Sequence, residues 1–138
     1  ADPWTEARDA AIVELMYGCG LRVGELVGLD VQASTTAAGW LDLQAGEAHV
    51  LGKGSKRRTV PVGAKAVEAV AAWLALRGTT GVANDPALFI GPRGRRITAH
   101  AVWSQLRKRS LRARLVGYFL LLSVLEVVFQ VEVNPCSG

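Results

Sequence analysis

Apolar residues return at three- and four-residue steps through Ala11, Ile12, Leu15, Met16 and Cys19, the period that lines one face of a helix. Thr5 is placed to cap that helix, Glu6 and Asp9 put negative charge near its positive end, and Gly18 and Gly20 supply its stop. A shorter helix over residues 22–29 offers Leu26, Val27 and Leu29 for packing. After a loop rich in Ser, Thr, Ala and Gly at 32–39, the pattern changes to short β-type runs at 40–43, 48–51 and 57–62. Pro61 cannot donate to a ladder, so the third run belongs at a sheet edge. Gly54-Ser55 between the last two runs is a two-residue hairpin signal, which would set Lys53 and Lys56 opposite each other. Val67, Val70, Ala71 and Leu74 share a face over residues 65–77, and Gly78 ends that helix. Residues 87–90 read as a short buried strand and 91–94 as a turn, and Thr98 can cap a helix running past Arg109. Trp73 and Trp103 belong in or beside the core, and Tyr17 reads as a packing residue. No internal repeat is visible. The fold class expected is α+β, mainly helical, with a small antiparallel sheet.

The 138 residues suit one domain, and with half of them apolar and a fifth charged the chain can bury a core. The net charge of +4 is modest, but it is concentrated. Residues 86–125 hold no Asp or Glu, while Arg93, Arg95, Arg96, Arg107, Lys108, Arg109, Arg112 and Arg114 all fall there. Lys53, Lys56, Arg57 and Arg58 form a second cluster. Such clusters suit a polyanion, nucleic acid or membrane surface; the bland alternative is a solvated basic face. Cys19 and Cys136 have no spacing for a metal site or a disulfide framework, and two unpaired thiols fit a reducing cytosol. The polar opening around Trp4-Thr5-Glu6 does not read as a secretory signal, so a cytoplasmic location is expected. The apolar run at 115–125 is too short to span a bilayer, which takes about twenty residues.

Two clusters carry candidate chemistry. Arg22 opens a short helix just after a Gly break, where a guanidinium can meet an anion and match two phosphate oxygens at once. Glu25, three residues on, is close enough to hold that guanidinium in one rotamer; a surface ion pair is the plainer reading. On the hairpin, like charges facing across strands would be destabilising, so their concentration points to an anionic partner, against the plainer reading of a solvated charged turn. Lys108, Arg109 and Arg112 share a helix face, and Arg95 and Arg96 follow a turn; phosphate contact and simple solvation are both open for them. His100 can touch phosphate or be structural. His49 sits mid-strand with no carboxylate or second His beside it in sequence, so a metal role is not expected.

The segment Gly20-Leu21-Arg22-Val23-Gly24-Glu25-Leu26 followed by Gly28-Leu29 resembles the first signature box of the tyrosine recombinases. Leu51-Gly52-Lys53-Gly54-Ser55-Lys56-Arg57-Arg58-Thr59-Val60-Pro61-Val62 resembles the catalytic β-hairpin of the same family. The order of the remaining elements, as far as about Ser110, is similar to the Xer branch. The resemblance implies the DNA breaking-rejoining fold and site-specific recombination or integration through a 3′-phosphotyrosyl intermediate, with no metal or nucleotide cofactor. It implies that Arg22 clamps the scissile phosphate and that Lys53 enters the minor groove as general acid for the leaving 5′ oxygen. Lys56, Arg57 and Arg58 would then hold the backbone of double-stranded DNA, giving affinity without sequence choice.

The pattern breaks beyond Ser110. The family's His-x-x-Arg box, its later His or Trp and its Tyr nucleophile would all follow that point, yet residues 111–138 contain no His and no Trp. Tyr118, in Val116-Gly117-Tyr118-Phe119-Leu120, does not resemble the nucleophile motif. Residues 1–110 are therefore expected to be the front part of a catalytic domain, and 111–138 an apolar tail outside the family pattern, such as a frame-shifted ending. A β-prone stretch at 127–133 opens the option that the tail mediates self-association or pairing with recombinase subunits. The chain is expected to bind duplex DNA without cutting it, because losing the nucleophile removes the covalent route. A noncatalytic protein-interaction module and a membrane-surface binder are the alternatives.

Overall fold

A computed structural model describes residues 2–78 and 85–113, with side chains as far as Arg109. The expectations for Tyr118, the runs at 115–125 and 127–133, Cys136, Arg114 and the Arg112 side chain lie outside the described residues.

Helix α1 is Pro3–Val13. Its cap is Asp2 and not Thr5: the Asp2 carboxylate accepts the Thr5 N–H at 2.8 Å and the Thr5 hydroxyl at 2.9 Å. Pro3 then sits at the first helical position, where a missing N–H costs nothing. The helix continues into one π-helical turn, Glu14–Gly18, and Gly20, at φ +68°, lets the chain reverse. Ala11, Ile12, Leu15 and Met16 are buried as their spacing requires. Tyr17 is not a packing residue. It is 75% exposed, because the apolar stripe takes the core side and leaves it facing out. Cys19 closes this turn half-buried, and burial pushes its thiol up.

Helix α2 is only Val23–Val27. Leu29 and Asp30 leave it to form a two-residue strand, β1, followed by β2 (Gly39–Asp42), β3 (Glu47–Leu51) and β4 (Arg57–Pro61). The sheet order is β1-β2-β3-β4. The expected antiparallel sheet holds for β2, β3 and β4, but β1 runs parallel to β2 through Leu29–Gly39 and Asp30–Trp40, so the whole is mixed. Two residues cannot display an alternation, which is why β1 left no mark in the pattern. β4 is an edge strand, as Pro61 demands. Leu41, Ala48 and Val50 point to the core, while Trp40, Glu47, His49 and Thr59 share the outer face.

At Gly39 β2 leaves no room for a side chain against β3: a Cβ there would lie 2.6 Å from the His49 carbonyl oxygen. Gly39→Ala is therefore expected to force the strands apart, at a cost of about 1–3 kcal/mol. An unchanged urea midpoint would show that the sheet gives way freely at this point.

Helix α3, Ala64–Arg77, ends at Gly78 as anticipated. Residues 87–90 are fully buried but form two isolated bridges instead of a ladder strand, Asp30–Ala87 and Ile90–Arg96. Their backbone groups are satisfied by Leu88 N–H to Leu29 O at 2.8 Å and Ile97 N–H to Phe89 O at 3.0 Å. Gly94 closes the 91–94 turn onto Gly91 O, and the Thr98 hydroxyl caps α4, Ala99–Ala113, by accepting the Ala101 N–H at 3.1 Å.

The core gathers around Trp73, which is completely buried between α1, α3 and the 87–90 segment. Trp4 meets it edge-on at 4.9 Å, Phe89 stacks at 6.3 Å, and its indole N–H donates to Leu88 O at 2.8 Å. Beside it Arg8 and Asp9 are buried as a pair at 3.1 Å, and Arg8 also donates to Ile90 O. Burial holds the Asp9 carboxyl above the usual carboxylate range, with the Arg8 charge opposing the shift. No helix among the described residues is long and apolar enough to cross a membrane.

Candidate nucleic-acid interface

Arg22 is the N-cap residue of α2, delivered there by the reversal at Gly20. Its backbone N–H donates to Glu25 Oε1 at 3.0 Å, and its exposed guanidinium has no partner among the described residues. The expected ion pair between Arg22 and Glu25 is not the one that forms. Glu25, with its side chain 6% exposed, instead takes the guanidinium of Arg58 in a two-pronged bond, Arg58 Nη2 to Oε1 at 2.9 Å and Nη1 to Oε2. This bond with Glu25 pushes Arg58 further above the usual guanidinium range. Gly52 packs on the same pair: a Cβ on it would stand 3.5 Å from Arg58 Nη1 and 3.6 Å from Glu25 Oε2.

The hairpin tip also differs from the Gly54-Ser55 turn expected. It takes three residues, Lys53–Ser55, closed by Gly52 N–H to Lys56 O at 2.7 Å, with Gly54 and Ser55 at φ +75° and +60°. Gly52, not Lys53, therefore faces Lys56, and the like charges are not held opposite each other. Lys53 and Lys56 are both exposed, without a side-chain partner among the described residues. Arg57 is engaged: it donates to Ala38 O at 3.0 Å and Ala37 O at 3.5 Å and lies 5.5 Å over the Trp40 ring.

His49 stacks on Trp40 at 4.7 Å, with Nδ1 3.1 Å from the Thr59 hydroxyl and Nε2 3.5 Å from Glu47 Oε2. A carboxylate does stand beside His49. The two-residue period of a strand puts residues 47 and 49 on one face, a signal available in the sequence and overlooked there.

The second basic region divides in the same way. Arg96 turns inward, donating to Val27 O at 2.9 Å, to Leu29 O at 3.1 Å and to Asp30 Oδ1 at 2.5 Å. Arg109 bonds Glu6 Oε2 at 2.7 Å with its side chain 18% exposed, and Arg107 lies 5.5 Å over Trp103. Arg93, Arg95, His100 and Lys108 are exposed. No group of three or more potential metal ligands occurs among the described residues. The structure thus sorts the basic side chains into two kinds. Arg57, Arg58, Arg96 and Arg109 are tied into the fold; Arg22, Lys53, Lys56, Arg95 and Lys108 face solvent. Through Glu25, the fold brings the helix end carrying Arg22 against the hairpin carrying Lys53.

Known proteins resemble this chain in sequence and in fold. The profile of the phage integrase family matches residues 2–119. Tyrosine recombinase XerC of Ralstonia pickettii (strain 12J) is 47% identical over 115 residues, 77% of this chain and 35% of that protein. Tyrosine recombinase XerC of Stutzerimonas stutzeri (strain A1501) is 50% identical over 119 residues, 86% of this chain and 36% of that protein. Tyrosine recombinase XerC of Pseudomonas aeruginosa (strain PAO1) is 42% identical over 137 residues, 99% of this chain and 42% of that protein. The crystal structure of XerA recombinase superposes with a TM-score of 0.65 at 24% identity, covering 99% of this chain and 48% of that one, a likeness of fold. The chain spans well under half the length of these XerC relatives. With its first signature box and its β-hairpin both inside the matched span, the chain belongs to the phage integrase family, as a Xer-like tyrosine recombinase domain.

Proposed function

We propose that this chain grips the backbone of double-stranded DNA, as the DNA-holding part of a site-specific recombinase catalytic domain acting in the cytoplasm. One observation carries this reading: Arg22, Lys53 and Lys56 stand exposed and unpaired among the described residues, on two elements that Glu25 and Arg58 bind together. Three exposed cations carried by a helix end and a hairpin tip suit phosphates, because a guanidinium fork and two ammonium groups offer charge-assisted donors to anionic oxygens. In an intact recombinase, Arg22 would clamp the scissile phosphate and Lys53 would protonate the leaving 5′ oxygen from the exposed tip of the hairpin. Both roles need only a guanidinium and an ammonium, so neither calls on a metal or nucleotide. Arg95 and Lys108 would add phosphate contacts from other elements. Contacts of this kind set affinity and leave sequence unread.

The test is fluorescence anisotropy of a labelled duplex at several salt concentrations. Binding is expected to weaken with salt, and the log–log slope should become shallower by about 0.9 for each of Lys53→Ala and Lys56→Ala. Binding that ignores salt, or slopes that ignore these substitutions, would remove the basis of the proposal.

A further inference from the structure

Arg58 belongs to the hairpin's run of basic residues, yet its geometry gives it a different task. Its guanidinium spends both outer nitrogens on Glu25, whose side chain is 6% exposed, and Glu25 in turn accepts the backbone N–H of Arg22. Gly52, the residue before Lys53, lies against this pair and donates its own N–H to Lys56 O at 2.7 Å. The connection is continuous. It runs from the cap of α2 at Arg22, through the Glu25 carboxylate and the Arg58 fork, to the base of the turn that carries Lys53. β4 is an edge strand, held by β3 on one side; Arg57 ties it to the 32–39 loop through Ala38 O at 3.0 Å, and the Arg58–Glu25 bond ties it to α2.

We infer that Arg58 is a positioning residue: it touches no phosphate, and through Glu25 it locks the hairpin tip so that Lys53 is held in register with Arg22 on one DNA backbone. This rests on the DNA-gripping reading for its consequence, but the lock itself can be measured without DNA. A planar fork is required, since two parallel bonds to one carboxylate fix an angle that a single ammonium cannot. Arg58→Lys should therefore fail as a substitute although it keeps the charge.

Two measurements on the full 138-residue chain decide the matter. Hydrogen exchange without DNA should show the Gly52 amide opening about tenfold faster in Arg58→Lys, while amides of α3 keep their protection and report that the fold is intact. An unchanged Gly52 amide would overturn the lock. In the anisotropy titration, Arg58→Ala and Arg58→Lys should each weaken binding by about fivefold in the parent chain but by less than about twofold once Lys53 is already alanine. Losses that multiply, or an Arg58→Lys variant that binds like the parent, would mean that Arg58 contacts phosphate directly and would overturn the assignment. If the parent chain binds no duplex even at low salt, it is the DNA-gripping reading that fails, and the exchange result alone then judges the lock.

Discussion

Trp73→Ala is expected to cost about 3–5 kcal/mol of stability, the range for deleting a large aromatic from a closed core. The indole is fully buried and stands where α1, α3 and the 87–90 segment meet, edge-on to Trp4 and stacked with Phe89. An alanine would leave a void that three elements of different direction cannot all collapse to fill. It would also leave Leu88 O without the N–H it now receives at 2.8 Å, in a segment whose four residues, 87–90, are all buried. Leu88 is fully buried, so the loss of that donor adds to the cost of the cavity. Trp73→Phe separates the two contributions. It keeps much of the apolar volume, leaves a smaller void and drops the hydrogen bond, and it should cost about 1–3 kcal/mol. Urea unfolding followed by circular dichroism measures both. A Trp73→Ala variant within 1 kcal/mol of the parent would mean that the 87–90 segment is not anchored through this ring.

Helices were legible in this sequence because their apolar period is long enough to repeat. The stripe from Ala11 to Cys19 and the spacing of Val67, Val70, Ala71 and Leu74 both found their helices, and Gly78 ended α3 where a glycine should, but the face α3 buries is Ala66, Val70, Trp73 and Arg77, with Ala71 exposed. The features missed were those decided by single contacts. Asp2 displaced Thr5 as the cap because its carboxylate accepts the N–H of Thr5 itself and so starts the helix three residues earlier, a choice no periodicity registers. The three-residue hairpin turn followed from the Gly52–Lys56 bond, which a Gly-Ser pair alone does not reveal. At the candidate site, the motif residues were visible as a set but not their division of labour. Arg57 and Arg58 are adjacent, similar in kind and both basic, yet alternation sends one to Trp40 and the other to Glu25. A run of charges in sequence says that cations are abundant. Only the partners that approach from Ala38, Glu25 or Asp30 say which of them remain available to a ligand.

Arg96 makes the sharpest case, since in sequence it stands beside Arg95 as one more phosphate contact. Arg96→Met is expected to destabilise the fold by about 3–5 kcal/mol, because it strands a buried charge. Asp30, its side chain 5% exposed, would lose the guanidinium at 2.5 Å, and the carbonyls of Val27 and Leu29 would each lose the Arg96 donor, Leu29 O keeping the Leu88 N–H. These groups lie where α2 passes into β1, so the damage falls on the junction that supports Arg22's helix from behind. Adding Asp30→Leu removes the stranded charge, and the double variant should regain a large part of the loss, though not the two carbonyl bonds. Arg95→Ala is the contrasting substitution: Arg95 is exposed and without a side-chain partner among the described residues, so its loss should leave stability within about 0.5 kcal/mol of the parent and act on DNA affinity instead. Should Arg96→Met unfold no more readily than the parent while DNA binding falls, the guanidinium must be free to leave Asp30 for phosphate, and the sorting of cations by their partners in the fold would not predict which ones hold DNA.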